Sequence, residues 1–217
     1  MKLLVIAASG GIGRWVARLA RAQGHDVVAL VREGTPYRPP EGVKVQVGSA
    51  LDPSALRRAL EGREAAISCL GPQRVHPVSP WSRLREPLRV AELAARALVE
   101  AAAGTGIRRV AAISAAGVGD SGPRVNAPMR LLIRKSTIGE MYADLGAMEG
   151  VLRASDLDWL AVRPVTLFGS RPMRRARRLE RYRAHSVVGR ADVAEWLLAA
   201  ACDPAPAAER TPMIGWW

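Results

Sequence analysis

A chain of 217 residues, 49% hydrophobic and 24% charged, can bury a substantial core and is neither a disordered segment nor a set of membrane spans. Its formal net charge of +12 would suit an anionic cofactor or nucleic acid, but arginine is scattered over many segments among abundant alanine, with no recognisable nucleic-acid module, so most of that charge is read as solvated and no specific nucleic-acid partner is expected. Cys69 and Cys202 are too few and too far apart for a disulfide framework or a cysteine metal site, and His25, His76 and His185 stand without ligand spacing, so no metal is expected and a reducing cytoplasm is the expected setting.

The first 33 residues organise the rest. Residues 3–7 are an uninterrupted apolar run, as in a strand covered on both faces, and too short for a signal peptide. Ser9, Gly10, Gly11, Ile12 and Gly13 turn the chain. A helix follows with Ile12, Val16, Leu19 and Ala20 on its docked face and Arg14, Arg18 and Arg21 on another, closing at Gly24. Residues 27–31 form a second buried strand ending at Arg32. A glycine turn between two such strands admits a pyrophosphate to backbone N–H groups at the positive end of a helix. Arginine at the end of the second strand favours the 2′-phosphate of NADP over the 2′-hydroxyl of NAD. Arg14 in the first helical turn adds to that reading, because a cation there opposes the helix dipole unless an anion lies nearby. Arg14 and Arg32 are thus read as a phosphate clamp, the alternative being two solvated arginines. Ala7 and Ala8 stand where such a turn usually opens with glycine, and the backbone there is expected to keep negative φ.

Residues 43–47 alternate as a third strand, and Asp52 caps a short helix that opens at Pro53 and runs to Leu60. Residues 65–70 form a fourth buried strand ending at Gly71. Residues 73–85, rich in proline and carrying His76 and Trp81, are either an active-site cover or a disordered tether. A helix is expected over 86–103, with Pro87 in its first turn and Leu88, Ala91, Ala95, Leu98 and Ala102 on one face; residues 110–113 then carry Ser114 to the edge holding the glycine turn. Residues 118–136 read as irregular. Residues 139–154 are a helix containing Tyr142, and 157–162 a sixth strand, after which 163–167 leave the sheet. Arginines at 171, 174, 175, 177, 178, 181 and 183 form either a solvated face or a lid over an acidic substrate. Asp192 is expected to cap the last helix, and 213–217 to be a final strand or an interface. The pattern is α/β: a Rossmann-type doubly wound, mainly parallel sheet with helices on both faces, in one domain over 1–217 with covering loops near 72–85, 118–138 and 164–186.

The segments AASGGIG at 7–13, LVRE at 30–33, CLG at 69–71, ISAAG at 113–117, YADLGAMEGVLRASDLDWLAVRP at 142–164 and GRADVAEWLL at 189–198 resemble, in this order, the atypical short-chain dehydrogenase/reductases. Within that group the chain is similar to the NAD(P)H-binding proteins of the flavin and biliverdin-IX-beta reductase and NmrA-like type. The resemblance implies the pyrophosphate at Ser9, Gly10, Gly11, Ile12 and Gly13 and the adenosine phosphate at Arg32, with Ala8 and Arg14 counted among the expected cofactor contacts. It also places Leu70, Gly71, Ser114, Pro164, Val165, Thr166 and Leu167 near the nicotinamide. The wider superfamily's Tyr-x-x-x-Lys pair is broken, since Gly146 stands four residues after Tyr142. Ser114 and Tyr142 are therefore the candidate reaction-site residues, Ser114 as an orienting group and not a nucleophile, Tyr142 as a substrate contact or core packing. The implied activity is NADPH-dependent reduction of a flat acceptor, flavin- or quinone-like, that can take its proton from solvent. The alternative is a non-catalytic redox sensor, with Trp216, Trp217 and the arginine run as its partner surface. Small-molecule substrates, no membrane association, and a monomer or homodimer are expected.

Overall fold

In the structure, a computed structural model, residues 1–169, 172 and 174–216 are described. Strands β1 (Lys2–Ile6), β2 (Asp26–Val31), β3 (Lys44–Val47), β4 (Ala65–Ser68), β5 (Arg109–Ile113), β6 (Asp158–Pro164), β8 (Arg177–Arg178) and β10 (Met213–Gly215) make one sheet in the order β3-β2-β1-β4-β5-β6-β10-β8. The short strands β7 (Thr166–Leu167) and β9 (Val187–Val188) pair with each other. Every neighbouring pair in the large sheet is parallel except β10 with β8. Strand order reverses direction between β1 and β4, and this switch point is where α/β sheets bind ligands, beyond the carboxyl ends of the strands.

Helices α1 (Gly13–Ala22) and α6 (Arg190–Cys202) cover one face, and α2 (Pro53–Leu60), α3 (Val90–Ala102) and α5 (Ile138–Arg153) the other. Period-two alternation assigns β1 to both cores: Leu3 and Val5 join Val16, Ala20 and Leu197, while Leu4 and Ile6 join Leu56, Leu98 and Leu152. Asp52 accepts a hydrogen bond from the Ser54 N–H at 2.9 Å and opens α2 as predicted.

Four local expectations fail. The third helix starts at Val90, not near Glu86, and Leu88 is 49% exposed. Its start is set from another helix, because the Asp144 carboxylate on α5 accepts from the N–H groups of Ala91 (3.0 Å) and Glu92 (2.9 Å). The stretch 118–136 is not irregular: it holds a 3-10 turn, Gly119–Arg124, and α4, Ala127–Lys135, with Asn126 capping the Met129 N–H at 3.1 Å and Pro128 in the first turn, where proline is tolerated. Arg163 and Pro164 do not leave the sheet but complete β6. Gly189, not Asp192, is the N-cap of α6, and Asp192 lies in its first turn.

Candidate functional site

The carboxyl ends of β1, β2, β4, β5 and β6 bring the expected positions to one edge. The turn after β1 closes with the Gly10 N–H donating to the Ala7 carbonyl at 3.0 Å. Gly13 packs so closely under that carbonyl that a Cβ there would strike the Ala7 oxygen and lie 2.9 Å from Ala8 Cα. This tightness overturns one expectation: Ala7 has φ 58°, in the left-handed region, at a cost of about 1 kcal/mol for a residue with a Cβ. Ile12 caps α1 with no side-chain hydrogen bond and no acidic residue lies in the first turn, so although the Arg14 N–H already donates to the Gly10 carbonyl at 3.0 Å, the start of the helix keeps its positive end for an anion.

Arg14 and Arg32 are placed differently. Arg14 Nε donates to the Ser9 carbonyl at 2.7 Å, Nη2 to the Pro36 carbonyl at 3.1 Å, and the guanidinium lies 5.7 Å from the centre of the Tyr37 ring. Arg14 therefore braces the loop after β2 against the glycine turn. Arg32 is exposed at the end of β2, and its guanidinium has no partner among the described residues. A third arginine, missed in the sequence reading, joins them: Arg190, the first residue of α6, passes so near the turn that a Cβ on Gly11 would lie 3.1 Å from its Cδ. Its Nη1 donates to the Gly169 carbonyl at 2.7 Å. Only the packing of α6 beside α1 brings this distant residue there, and no local sequence signal announces it.

Across the switch point, Cys69 continues the ladder by donating its N–H to Ile6, and Leu70 and Gly71 follow half-exposed, with open space beside Gly71. Burial pushes the Cys69 thiol up to about 12, so it is a neutral thiol and no nucleophile at neutral pH. Ser114 and Ala116 extend the β5–β6 pairing through N–H donation to the Val162 and Pro164 carbonyls at 2.7 and 2.9 Å. These contacts set Ser114, Pro164 and Val165 side by side.

The two candidate reaction-site hydroxyls are both engaged. Ser114 Oγ donates to Glu149 Oε1 at 2.6 Å. Tyr142 donates to the Ala116 carbonyl at 3.0 Å, and burial, with Tyr182 nearby, raises its phenol well above the ordinary value. Tyr142 is thus a weak acid with no lysine four residues on. Glu149 is the hub of a buried network that the sequence reading did not assemble. Arg163, fully buried, donates to its two carboxylate oxygens at 2.9 and 2.6 Å and to Asp120 Oδ1 at 2.6 Å. A usable signal did exist, because an arginine ending an apolar strand must find a buried acid.

The segment after β4 is docked on the start of α5 and the end of α4. Residues 74 and 84 bridge, Thr137 Oγ1 lies 2.8 Å from both the Pro80 and Ser82 carbonyls, and the Trp81 indole donates to the Lys135 carbonyl at 3.2 Å. The partner surface imagined for a sensor is not available at Trp216, which is 9% exposed and donates its indole N–H to the Arg174 carbonyl. Trp217 and Arg171 lie outside the described residues.

A 3-2-1-4-5-6 parallel sheet with a cramped glycine turn at its switch point defines a dinucleotide-binding protein of Rossmann type. The chain belongs to the NAD(P)H-binding family, which matches it over residues 7–204. It is 32% identical over 175 residues to the 3-diazoavenalumate denitrifying reductase of a Streptomyces species, a match spanning 78% of this chain and 57% of that one. Among solved structures it is similar to ChuY, an anaerobillin reductase from Escherichia coli O157:H7, with a TM-score of 0.75 and 25% identity over 99% of this chain and 96% of that one. A short-chain dehydrogenase/reductase from Veillonella parvula in complex with NADP shares the fold, with a TM-score of 0.78 at 17% identity over 99% of this chain and 94% of that one.

Proposed function

We propose that this chain is a cytoplasmic NADPH-dependent reductase that transfers hydride to a flat aromatic acceptor of flavin or quinone type. The observation that carries the reading is the convergence, at one switch-point edge, of the glycine turn, the exposed Arg32 and the β4, β5 and β6 ends. The fit to a dinucleotide rests on the turn itself, where a side chain at Gly13 would collide with backbone. Gly10 to Gly13 and the start of α1 would hold the diphosphate, with Arg190 beside them. Arg32 would meet the 2′-phosphate, and the arginine in place of an acidic residue supports NADP(H) over NAD(H). When bound, NADPH supplies the hydride. Leu70, Gly71 and Leu167, with the buried Pro164 and Val165 behind them, would form a largely apolar shelf that positions the reacting rings and excludes water. Ser114 and Tyr142 are each hydrogen-bonded within the protein, which supports an acceptor protonated by solvent over one needing a strong protein acid. Both cysteines are free thiols, in keeping with a reducing compartment.

The test is to mix the protein with NADPH or NADH and oxidised flavin or a quinone, following the nicotinamide absorbance. Protein-dependent decay, faster with NADPH, is expected. Saturable NADPH binding with no decay against any acceptor, together with altered association with another protein, would point to the sensor.

A further inference from the structure

Arg190 lies between the glycine turn and the chain that leaves β6. On one side its stem occupies the space that a side chain on Gly11 would need, since a Cβ there would lie 3.1 Å from Arg190 Cδ and 3.4 Å from Nε. On the other side Nη1 donates to the Gly169 carbonyl at 2.7 Å. The guanidinium pairs with no carboxylate among the described residues, and its planar fork keeps further N–H donors after the bond to Gly169 is made. Arg14, the other arginine at the turn, is tied to the Ser9 and Pro36 carbonyls and lies against Tyr37. A diphosphate on Gly10 to Gly13 would therefore find its guanidinium donors on Arg190.

The chain held at Gly169 borders the proposed acceptor edge and has few other supports. β7 pairs with β9 outside the large sheet, and the Phe168 N–H donates to the Val188 carbonyl at 2.8 Å. A two-stranded ladder of this kind is marginal on its own. Thr166 is held through its hydroxyl by that of Tyr182, but beyond it Leu167, Phe168 and Gly169 are exposed, so packing adds little, and Gly169 turns the chain at φ 61°. The bond from Arg190 is thus the tie at the tip. Val187, Val188, Gly189 and Arg190 are consecutive, so the strand that pairs with β7 and the guanidinium beside the glycine turn belong to one stretch. That stretch is anchored where the Trp216 N–H donates to the Val187 carbonyl at 3.0 Å. A staple serving Gly169 alone would not need its stem routed past Gly11, and an anion ligand alone would not need the bond to Gly169.

We propose that Arg190 is a positioning residue that couples the two half-sites: a diphosphate on the glycine turn holds the guanidinium against the Gly169 carbonyl, fixes residues 167–169, and so completes the acceptor edge only when the nucleotide is in place. The proposal rests on the cofactor placement given under the proposed function, and the probes separate the two. Hydrogen exchange of the backbone amides of 167–169 is followed by mass spectrometry in the wild-type protein in three states. These are the protein alone, the protein saturated with 2′-phospho-ADP-ribose, which is NADP without its nicotinamide, and the protein saturated with adenosine 2′-monophosphate, which lacks the diphosphate. Exchange is expected to slow by about fivefold or more with the first ligand and to stay unchanged with the second, about fivefold being the lower end of ordinary coupling between sites. Arg190→Met keeps an unbranched stem beside Gly11 and removes the donors. In this variant 167–169 should exchange equally fast with and without saturating 2′-phospho-ADP-ribose, while the first amides of α1 are still slowed by it, which shows that the variant is folded and loaded. No slowing at 167–169 in the saturated wild type, equal slowing by adenosine 2′-monophosphate, or slowing that persists in Arg190→Met overturns the coupling. Failure of 2′-phospho-ADP-ribose to bind the wild type overturns the cofactor placement and the coupling with it. Arg190-dependent slowing in a protein that oxidises no NADPH would instead keep the coupling and remove the reductase.

Discussion

Arg32 and Arg190 make different demands on a dinucleotide, and substitution separates them. In the proposed binding mode Arg32 would meet the phosphate that only NADP carries, and losing one charge-assisted contact costs about 1.5 to 3 kcal/mol. Arg32→Ala should therefore weaken NADPH by an order of magnitude or more and leave NADH nearly unchanged in a binding titration. Arg190 lies beside Gly11, where the diphosphate common to both cofactors is expected, so Arg190→Ala should weaken NADPH and NADH by similar factors. Equal losses for Arg32→Ala, or an NADPH-selective loss for Arg190→Ala, would exchange their roles. Arg32 was legible because it follows a buried strand directly; Arg190 was not, because α6 brings it to the turn from 179 residues downstream of Gly11 in the sequence. Ala7 shows the same limit at shorter range. Alanine argues for negative φ, and the packing of Gly13 under the Ala7 carbonyl overrides it.

At the level of elements, the Glu149–Arg163 pair does what no single strand or helix can. It joins α5 to β6, reaches β5 through Ser114, and reaches the 3-10 turn through Asp120. Removing one partner of a buried pair leaves an uncompensated charge and costs about 3 to 5 kcal/mol. For a domain of this size, Glu149→Ala should lower the thermal midpoint by roughly 6 to 20 °C. A drop under about 2 °C would mean that the pair is not buried as described. Arg89→Ala, which loses only an exposed partner of Glu92, should cost less than about 1 kcal/mol in the same assay. A second ionic tie starts β6: Asp158 is bonded to Arg109 and Arg210 at 2.5 Å each. Burial pushes the Asp158 carboxyl up, yet hydrogen bonds from both arginines outweigh it and hold the group below the ordinary carboxylate range. A depressed folded value means the contribution is present above the unfolded value of about 3.9 and is lost as pH falls through the folded one. Asp158→Asn should thus flatten the acid side of the stability profile below about pH 4, read from urea midpoints; an unchanged acid limb would contradict the assignment. Elements with local punctuation were readable, as Asp52-Pro53 fixes α2 to the residue. The start of α3 was not, because its cap is Asp144 on α5. Nor was α4, which buries no residue and so shows no strong apolar periodicity, and whose Pro128 reads as a breaker until Asn126 is seen to cap the turn before it.

For the whole molecule, the layered sheet follows from the sequence because four short apolar runs, each buried on both faces, can only be parallel strands between helices. Right-handed crossovers then bring the glycine turn, Ser114 and Pro164 to one edge, so the gathering of the proposed cofactor positions there was foreseeable. The loop surroundings proposed for the acceptor were not. They depend on how 72–85 docks on Lys135 and Thr137 and on how Tyr182 pairs with 124–126, contacts that cross more than 50 residues. The central claim is that this edge carries out hydride transfer and does not merely hold a nucleotide. The most direct measurement mixes the wild-type protein and NADPH with flavin mononucleotide, riboflavin or a quinone, and follows the nicotinamide absorbance against protein-free controls. Decay that requires the protein, saturates with NADPH and is slower with NADH is the predicted result; saturable NADPH binding without protein-dependent decay in the presence of any of these acceptors would contradict it.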